Sequence, residues 1–171
     1  MRYSVIHMSQ IILIAHNLRS AHNVGSLIRT AEGLGIYQVY LTGYTPYPKQ
    51  LTDERLPHLM LKIDKQINKT ALGAEKILGE YEPDINHLIT KLKGLDYAIV
   101  ALEQSKSAIK LHTFKTPDNL ALIVGREVEG IEPEILKQCD SIIEIPMKGK
   151  KESFNVVQAA AMALYQFTYL S

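Results

Sequence analysis

Short, nearly uninterrupted runs of apolar residues constrain the fold of this 171-residue chain more than any other feature. The two clearest runs are QIILIAH at 10–16 and NLALIVG at 119–125, both rich in branched aliphatic residues. Such runs predict strands buried on both faces, because a strand with one face in water alternates apolar with polar residues. Similar runs predict further strands at 38–43, 97–103 and 141–146.

Segments with helical periodicity separate these strands. A helix is predicted over 24–34, where apolar residues fall on one face, with Asn23 as its N-cap and Gly35 just past its end. Further helices are predicted at 65–79, 84–93 and 155–170. Strands that alternate with helices predict an α/β fold, a parallel sheet covered on both faces and of the open, doubly wound type.

Composition indicates one ordinary globular domain over residues 1–171, with 46% hydrophobic and 22% charged residues. The net charge of +1 lacks the strong positive bias of many nucleic-acid-binding proteins, although local clusters can still contact phosphates. The apolar run at 11–15 is too short to span a membrane, and the N-terminus lacks the layout of a signal peptide. We therefore expect a cytoplasmic protein without a membrane segment.

The cysteine and histidine pattern predicts no metal site. Cys139 is the single cysteine, so it cannot form an internal disulfide, and we interpret it as a small core residue. The six histidines show no metal-ligand spacing.

Three segments come after predicted strand ends, where parallel α/β sheets bind their ligands. In the first segment, Asn23 is either a helix cap or a residue of a ligand-binding site. Gly25 likewise either allows a close backbone contact or belongs to that site. Arg29 lies off the apolar helix face, so it either projects above the sheet or is an ordinary surface arginine. In the second, Gly125 allows close approach of a ligand and Glu127 adds a carboxylate, unless the segment is a charged surface turn. This segment is neither a Walker A loop nor a G-x-G-x-x-G motif, which disfavours a phosphate-cradling nucleotide site.

The third segment contains Ser153 and Asn155, which suit a helix cap as well as a binding loop. Its lysines, Lys148, Lys150 and Lys151, are either solvated or contact phosphates. The helix after it is apolar nearly all round, so it must be covered on more than one side, by its own domain or by a second subunit.

Taken together, NVGSLIRTAEGLG, LIVGREVEGI and IEIPMKGKKESFNVVQAAAMAL resemble the three motifs of the SPOUT superfamily of RNA methyltransferases. They are most similar to the SpoU/TrmH-like branch, which methylates ribose 2′-hydroxyls. The resemblance implies a parallel-sheet α/β-knot with a C-terminal trefoil knot, a rare exception to the rule against knotted chains. It also implies S-adenosylmethionine (S-adenosyl-L-methionine) as cofactor, tRNA or rRNA as substrate, and a homodimer through the C-terminal helix.

The resemblance assigns site residues by their positions in the motifs. Backbone contacts to the cofactor are expected at Gly125, Ile145, Met147 and Ser153. Polar active-site positions are Asn23, Arg29, Glu127, Ser153 and Asn155. This chain departs from the family where Arg126 and Val128 replace a frequent Asn and Gly, and where Phe154 replaces a usual Leu. Of these changes, Val128 is the one that could alter the backbone of the turn that contains it.

Our mechanistic hypothesis is that Arg29 stabilises the alkoxide that develops on the ribose, while Glu127, Ser153 and Asn155 orient it or the substrate. A guanidinium resists deprotonation, which argues against Arg29 as a general base. Three alternatives remain. The first is a non-catalytic RNA-binding dimer, which the presence of these polar residues disfavours, and the second is a base-directed methyltransferase. The third is an unrelated hydrolase, which would need a nucleophile elbow.

A long loop is predicted at 44–64, a length that favours a functional role. Its aromatic and basic residues suit contact with RNA or, equally, docking onto its own domain. They are Tyr44, Tyr47, Lys49, Arg55, His58 and Lys62.

Overall fold

The computed structural model describes residues 10–170, which contain seven strands and five α-helices. The strands are β1 Gln10–His16, β2 Gln38–Thr42, β3 Glu80–Tyr81, β4 Ala98–Leu102, β5 Ile109–Lys110, β6 Asn119–Val124 and β7 Ser141–Glu144. The helices are α1 Ala21–Gly33, α2 Pro57–Ala71, α3 Ile85–Gly94, α4 Pro133–Leu136 and α5 Val156–Tyr169. Short 3₁₀ turns lie at Ala74–Lys76 and Leu111–Thr113.

All seven strands form one parallel sheet in the order β3-β2-β1-β6-β4-β7-β5. The predicted parallel α/β architecture is therefore confirmed. Strand β1 pairs with β2 on one side and with β6 on the other, so the order of strands reverses at this point. Polar groups beyond the carboxyl ends of β1 and β6 consequently lie at the place where open α/β sheets bind ligands.

Helices cover both faces of the sheet. Consecutive residues of β1, Leu13 and Ile14, are fully buried and belong to opposite core clusters, as the alternation of side chains along a strand requires. The cluster around Leu13 includes residues of α1, α2 and α5, and the one around Ile14 includes residues of α3 and α4. Burial on both sides explains why this strand is apolar at consecutive positions.

The largest difference from the sequence prediction lies in segment 44–64. Helix α2 begins at Pro57 and ends at Ala71, so the predicted loop is too long and the predicted helix at 65–79 is misplaced. Proline fits the first turn of a helix, where its missing N–H has no intrahelical partner, and here it starts a helix. Strands β3 and β5 and helix α4 were not predicted, because each is too short for a periodic pattern.

The helix ends test the predicted caps. Helix α1 is capped by Ser20, whose Oγ accepts a hydrogen bond from the Asn23 N–H at 3.2 Å, so the prediction of Asn23 as N-cap is wrong. Serine and asparagine cap equally well, and the serine is used because the helix starts one turn earlier. Gly35 lies just past the helix end at φ +69°, as predicted. Asn155 caps α5, accepting at Oδ1 from the Val157 N–H at 2.9 Å.

Within residues 10–170 no helix has both the length and the apolar character needed to cross a membrane. Residues 1–9, to which the expectation about a signal peptide refers, lie outside the described part of the chain.

Candidate active site

A pocket of about 300 Å³ opens beyond the carboxyl ends of β4, β6 and β7. Its walls come from the turn after β6, the end of β4 and the loop before α5. The lining residues are Leu102, Glu103, Gln104, Val124, Gly125, Arg126, Glu127, Val128, Glu129, Gly130, Glu144, Ile145, Glu152, Ser153, Phe154, Val156 and Ala159. Four of the eight residues that the motifs assign to the site therefore line one pocket: Gly125, Glu127, Ile145 and Ser153.

The absence of a side chain at Gly125 lets the turn after β6 fold back against the strand. A Cβ atom at this position would lie 2.5 Å from Ile131 Cγ1 and 2.9 Å from the carbonyl carbon of Gly130. Both separations are well below ordinary van der Waals contact, which is about 3.5–4.0 Å between carbon atoms. The close approach predicted at Gly125 is thus made by the chain's own turn, and it shapes one wall of the pocket.

Arg126 stabilises this turn. Its Nε donates to the Gly130 carbonyl at 3.2 Å, and its Nη2 lies 3.4 Å from Glu132 Oε1. Val128 is 85% exposed and does not have a positive φ. Two of the three departures from the family pattern are therefore accommodated: the arginine bonds within its own turn, and the valine is exposed at the pocket without a positive φ.

Asn23 and Glu127 are in contact. Asn23 Nδ2, at the start of α1, donates to Glu127 Oε1 at 3.0 Å. This hydrogen bond joins two residues far apart in sequence, and the motifs assign both to the active site. It places the glutamate carboxylate between α1 and the pocket.

Arg29 does not line this pocket. It is exposed further along α1, about 120° around the helix axis from Asn23. There it borders a second depression of about 380 Å³, which Ala161 and Tyr165 of α5 also line. A single chain therefore brings Asn23 and Glu127 together but leaves Arg29 at the α1–α5 surface.

The remaining predicted residues lie along the loop before α5. Ser153 is exposed at the rim of the pocket, and Asn155 is exposed and uses its side chain as the cap described above. Met147 is half-buried and is not among the lining residues.

A polar cluster that sequence reasoning missed lies at the ends of β1 and β2. His16 is 5% exposed, and its Nδ1 lies 2.7 Å from Thr42 Oγ1. Asn17 Nδ2 donates to Glu132 Oε1 at 2.9 Å and lies 3.0 Å from His16 Nε2. Asn17, at φ 55°, also accepts at Oδ1 from the Tyr44 N–H. A histidine and an asparagine ending an apolar strand were the signal available in the sequence.

Protonation of His16 decides how this cluster is bonded. Burial lowers the pKa of His16, against the opposing influence of Glu132, and thus favours a neutral ring. In the neutral ring, His16 Nε2 carries no proton and accepts a hydrogen bond from Asn17. Glu132 Oε2 lies 3.3 Å from this nitrogen, so it receives no hydrogen bond from it and lacks a donor. Burial acts to raise the pKa of Glu132, but its backbone N–H, the Asn17 amide and the charge of Arg126 outweigh burial and lower it.

The segment before α2 is docked onto the domain. The Tyr47 ring stacks on Tyr81, with centroids 3.8 Å apart, and the Arg55 guanidinium lies 3.6 Å over the Tyr47 ring. Arg55 also donates from Nε to Asp53 at 2.8 Å and holds the pKa of that carboxyl well below its usual range. Tyr47 and Arg55 are therefore used in internal contacts, whereas Tyr44 is 54% exposed.

Helix α5 has one covered and one exposed apolar side. Its buried residues are Ala160, Ala163, Leu164 and Phe167. Its exposed apolar residues, with the residue just beyond its end, are Met162, Tyr165, Tyr169 and Leu170. Residues 10–170 do not supply the cover on the second side that the apolar character of this helix predicts.

Residues 10–170 contain no group of three or more histidine, cysteine, aspartate or glutamate side chains placed to hold a metal ion. Burial raises the pKa of the Cys139 thiol to about 11, as expected for an unreactive cysteine packed against the core.

The chain is thus a fully parallel α/β protein with a pocket between the turn after β6 and the loop before α5, at the edge where sheets of this class bind ligands. Residues 10–165 match the SpoU rRNA Methylase family, and the chain belongs to that family. The predicted membership of the SpoU/TrmH-like branch is confirmed.

Two curated relatives illustrate the family. The chain is 27% identical over 157 residues to a 23S rRNA (guanosine-2′-O-)-methyltransferase of Acinetobacter baylyi, covering 91% of this chain and 58% of that protein. It is 28% identical over 158 residues to a tRNA (guanosine(18)-2′-O)-methyltransferase of Aquifex aeolicus, covering 91% of this chain and 67% of that protein. The chain thus spans about three fifths to two thirds of the length of these two relatives.

Solved structures share the fold. An AdoMet-bound rRNA methyltransferase from Sinorhizobium meliloti superposes with a TM-score of 0.79 at 19% identity, over 97% of this chain and 60% of that chain. The TrmH/SpoU tRNA-modifying enzyme of A. aeolicus gives a TM-score of 0.76 at 24% identity, over 94% and 74%. At these identities the likeness establishes the fold.

Proposed function

We propose that this protein transfers a methyl group from S-adenosylmethionine to a ribose 2′-hydroxyl of tRNA or rRNA, in the cytoplasm. The observation that supports this most directly is the strand-end pocket, whose walls come from two of the three family motifs and from the end of β4. The named activities of the two curated relatives, each a guanosine 2′-O-methyltransferase, agree with it.

The lining of the pocket fits the proposed cofactor. A volume of about 300 Å³ is at the lower end of the range for small-molecule sites. Five glutamates and one arginine line it, so the wall carries an excess of carboxylates, which suits a cationic ligand. Bound S-adenosylmethionine supplies a methyl group already activated on a sulfonium. We assign contacts with it to Gly125, Ile145 and Ser153, which line the pocket, and to Met147, which lies between the last two in the same loop.

As the ribose oxygen takes the methyl group, its hydroxyl proton must pass to solvent, and the chain's own residues must hold the oxygen in line and stabilise its developing charge. We assign that stabilisation to Arg29. Glu127, Ser153 and Asn155 would orient either the arginine side chain or the ribose. The Asn23–Glu127 hydrogen bond supports this role for the glutamate, because it fixes the carboxylate beside the pocket.

We propose that the active site is completed by a second copy of the chain. The uncovered side of α5 presents Met162, Tyr165 and Tyr169, an apolar face that a homodimer through α5 would bury. Arg29 borders the same depression as Tyr165, so such a dimer would bring the arginine to the interface. This arrangement would account for its distance from the pocket of its own chain.

A mixing experiment tests this composite site. Arg29→Ala and Glu127→Ala should each abolish methyl transfer, while Arg29→Ala leaves cofactor binding nearly intact. If the two residues come from different protomers, mixed dimers contain one intact site, and an equimolar mixture should recover roughly a quarter of wild-type activity. No recovery, with heterodimers verified by mass spectrometry, would place both residues in one protomer.

We further propose a single domain with the C-terminal trefoil knot of the SPOUT fold. The likeness to solved methyltransferases supports this, as does the path of the loop before α5, which shares a pocket with the turn after β6. Exposed residues such as Tyr44 and Lys49 are candidates for contact with the RNA.

The decisive assay is transfer of labelled methyl from S-adenosylmethionine into tRNA and rRNA that lack this modification, with analysis by nucleoside mass spectrometry. A 2′-O-methylated nucleoside is expected. A methylated base would refute the ribose assignment, and a protein that binds RNA but neither binds nor uses the cofactor would favour a non-catalytic dimer.

A further inference from the structure

Two adjacent residues after β4, Glu103 and Gln104, contact both walls of the strand-end pocket. Glu103 Oε2 accepts a hydrogen bond from the Ile131 N–H at 3.0 Å. Gln104 Nε2 donates to the carbonyl oxygen of Glu152. The first bond reaches the turn after β6, and the second reaches the loop before α5.

The turn after β6 is shaped around the Glu103 carboxylate. Its other oxygen, Oε1, accepts from the Gln104 N–H at 2.9 Å, and the Glu103 backbone N–H continues the β4–β7 pairing by donating to Ile143 at 2.9 Å. A side chain at Gly130, which has φ +70°, would collide with the carboxylate. Carboxylate and turn therefore fit each other closely.

The loop before α5 is held by the neighbouring residue. Between β7 and α5 the chain has no regular secondary structure, and Ser153 and Phe154 of this stretch line the pocket. The carbonyl that Gln104 binds immediately precedes Ser153, so the amide fixes the loop at the point where it enters the pocket wall.

We propose that Glu103 and Gln104 are positioning residues that set the spacing of the two pocket walls and thereby the affinity for the cofactor. The inference rests on the proposed function, in which this pocket holds S-adenosylmethionine. Walls already held in place spare the ligand the entropic cost of ordering them. Loss of either contact should therefore raise Kd and KM for the cofactor and leave kcat at saturating cofactor unchanged.

The test compares Gln104→Met with Gln138→Met. Methionine keeps the length of the side chain and removes the donor. Gln138 is a matched control, because its Nε2 donates to the Glu134 carbonyl at 3.1 Å and to Asn86 at 2.8 Å, and it does not line the pocket. Calorimetric titration with S-adenosylmethionine should show Kd raised roughly five- to tenfold for Gln104→Met and unchanged for Gln138→Met.

Glu103→Gln provides a second variant. Glutamine has the same shape but only one acceptor oxygen, so it cannot accept from both the Gln104 and the Ile131 N–H groups. We expect Kd to rise roughly tenfold or more, because bonds to a charged acceptor are the stronger ones and because the variant also removes one of the five pocket carboxylates; Gln104→Met, which changes no charge, isolates the positioning effect.

The outcomes separate the inference from the function on which it rests. A wild-type protein that does not bind S-adenosylmethionine overturns the proposed function and the inference with it. Binding by the wild type with equal affinity in Gln104→Met overturns the inference alone. A parallel loss of kcat, affinity and Tm in Gln104→Met, absent from Gln138→Met, would indicate general structural damage and also overturn it.

Discussion

Replacing Gly125 by alanine should damage both the stability of the protein and its pocket. The new Cβ would start 2.5 Å from Ile131 Cγ1 and 2.9 Å from the Gly130 carbonyl carbon. Restoring ordinary contact requires a shift of about 1 Å at the first atom and about half an ångström at the second, which is backbone. Overpacking of this kind costs about 1–3 kcal/mol of unfolding free energy. Because the displaced turn is a pocket wall, we also expect weaker binding of S-adenosylmethionine.

Gly94→Ala is the matched control, because a Cβ there meets nothing within 4 Å and the residue does not have a positive φ. Alanine at such a site stabilises by about 0.4–1 kcal/mol through the unfolded chain. Urea unfolding should give a midpoint lowered by about 1 M for Gly125→Ala and unchanged or raised for Gly94→Ala. Wild-type stability together with wild-type cofactor affinity in Gly125→Ala would refute the packing argument for this wall.

Two further predictions concern the missed polar cluster and the docked segment before α2. Because the pKa of His16 is lower in the folded protein than its ordinary value of 6.5, the unfolded chain binds more protons just below that pH. The free energy of unfolding of the wild type should therefore fall by up to about 1.4 kcal/mol per pH unit as the pH drops below 6.5. The control variant His112→Gln should show the same fall, and His16→Asn should not. Parallel pH profiles of stability in all three proteins would contradict this. Arg55→Met should lower stability by about 1.5–3 kcal/mol, since it leaves Asp53 without its charged donor and Tyr47 without its cation, and Asp53→Asn in the same chain should recover part of the loss. Unchanged stability but weaker RNA binding in Arg55→Met would show that the arginine serves the substrate instead.

The sheet was predictable because its signal is local. Strands β1 and β6 are apolar at consecutive positions and buried on both faces, so a run such as 119–125 identifies a central parallel strand without knowledge of its neighbours. The order of the strands was not predictable in this way. The pairing of β6 with β1 and β4 depends on contacts between distant segments, which no local pattern records.

The candidate site was predictable for a different reason. Strand ends are a fixed location in this architecture, and Gly125, Glu127 and Ser153 all lie in segments that begin at the end of a strand. The same rule applied to the end of β4 would have found Glu103, a charged residue that closes an apolar run. The position of Arg29 could not be predicted, because it depends on how α1 and α5 pack and on what covers them.

The geometry divides the proposed reaction between two levels of assembly. The pocket is complete within one chain, since its walls are joined by the Gly125 turn, by Glu103 and by Gln104. The arginine expected to stabilise the ribose alkoxide lies instead beside the uncovered face of α5. In the proposed homodimer, cofactor binding would be a property of the folded monomer, whereas methyl transfer would require the dimer. The proposed dimer would give one physical cause to two features that residues 10–170 of a single chain leave unexplained: the exposed apolar face of α5 and the distance of Arg29 from the pocket.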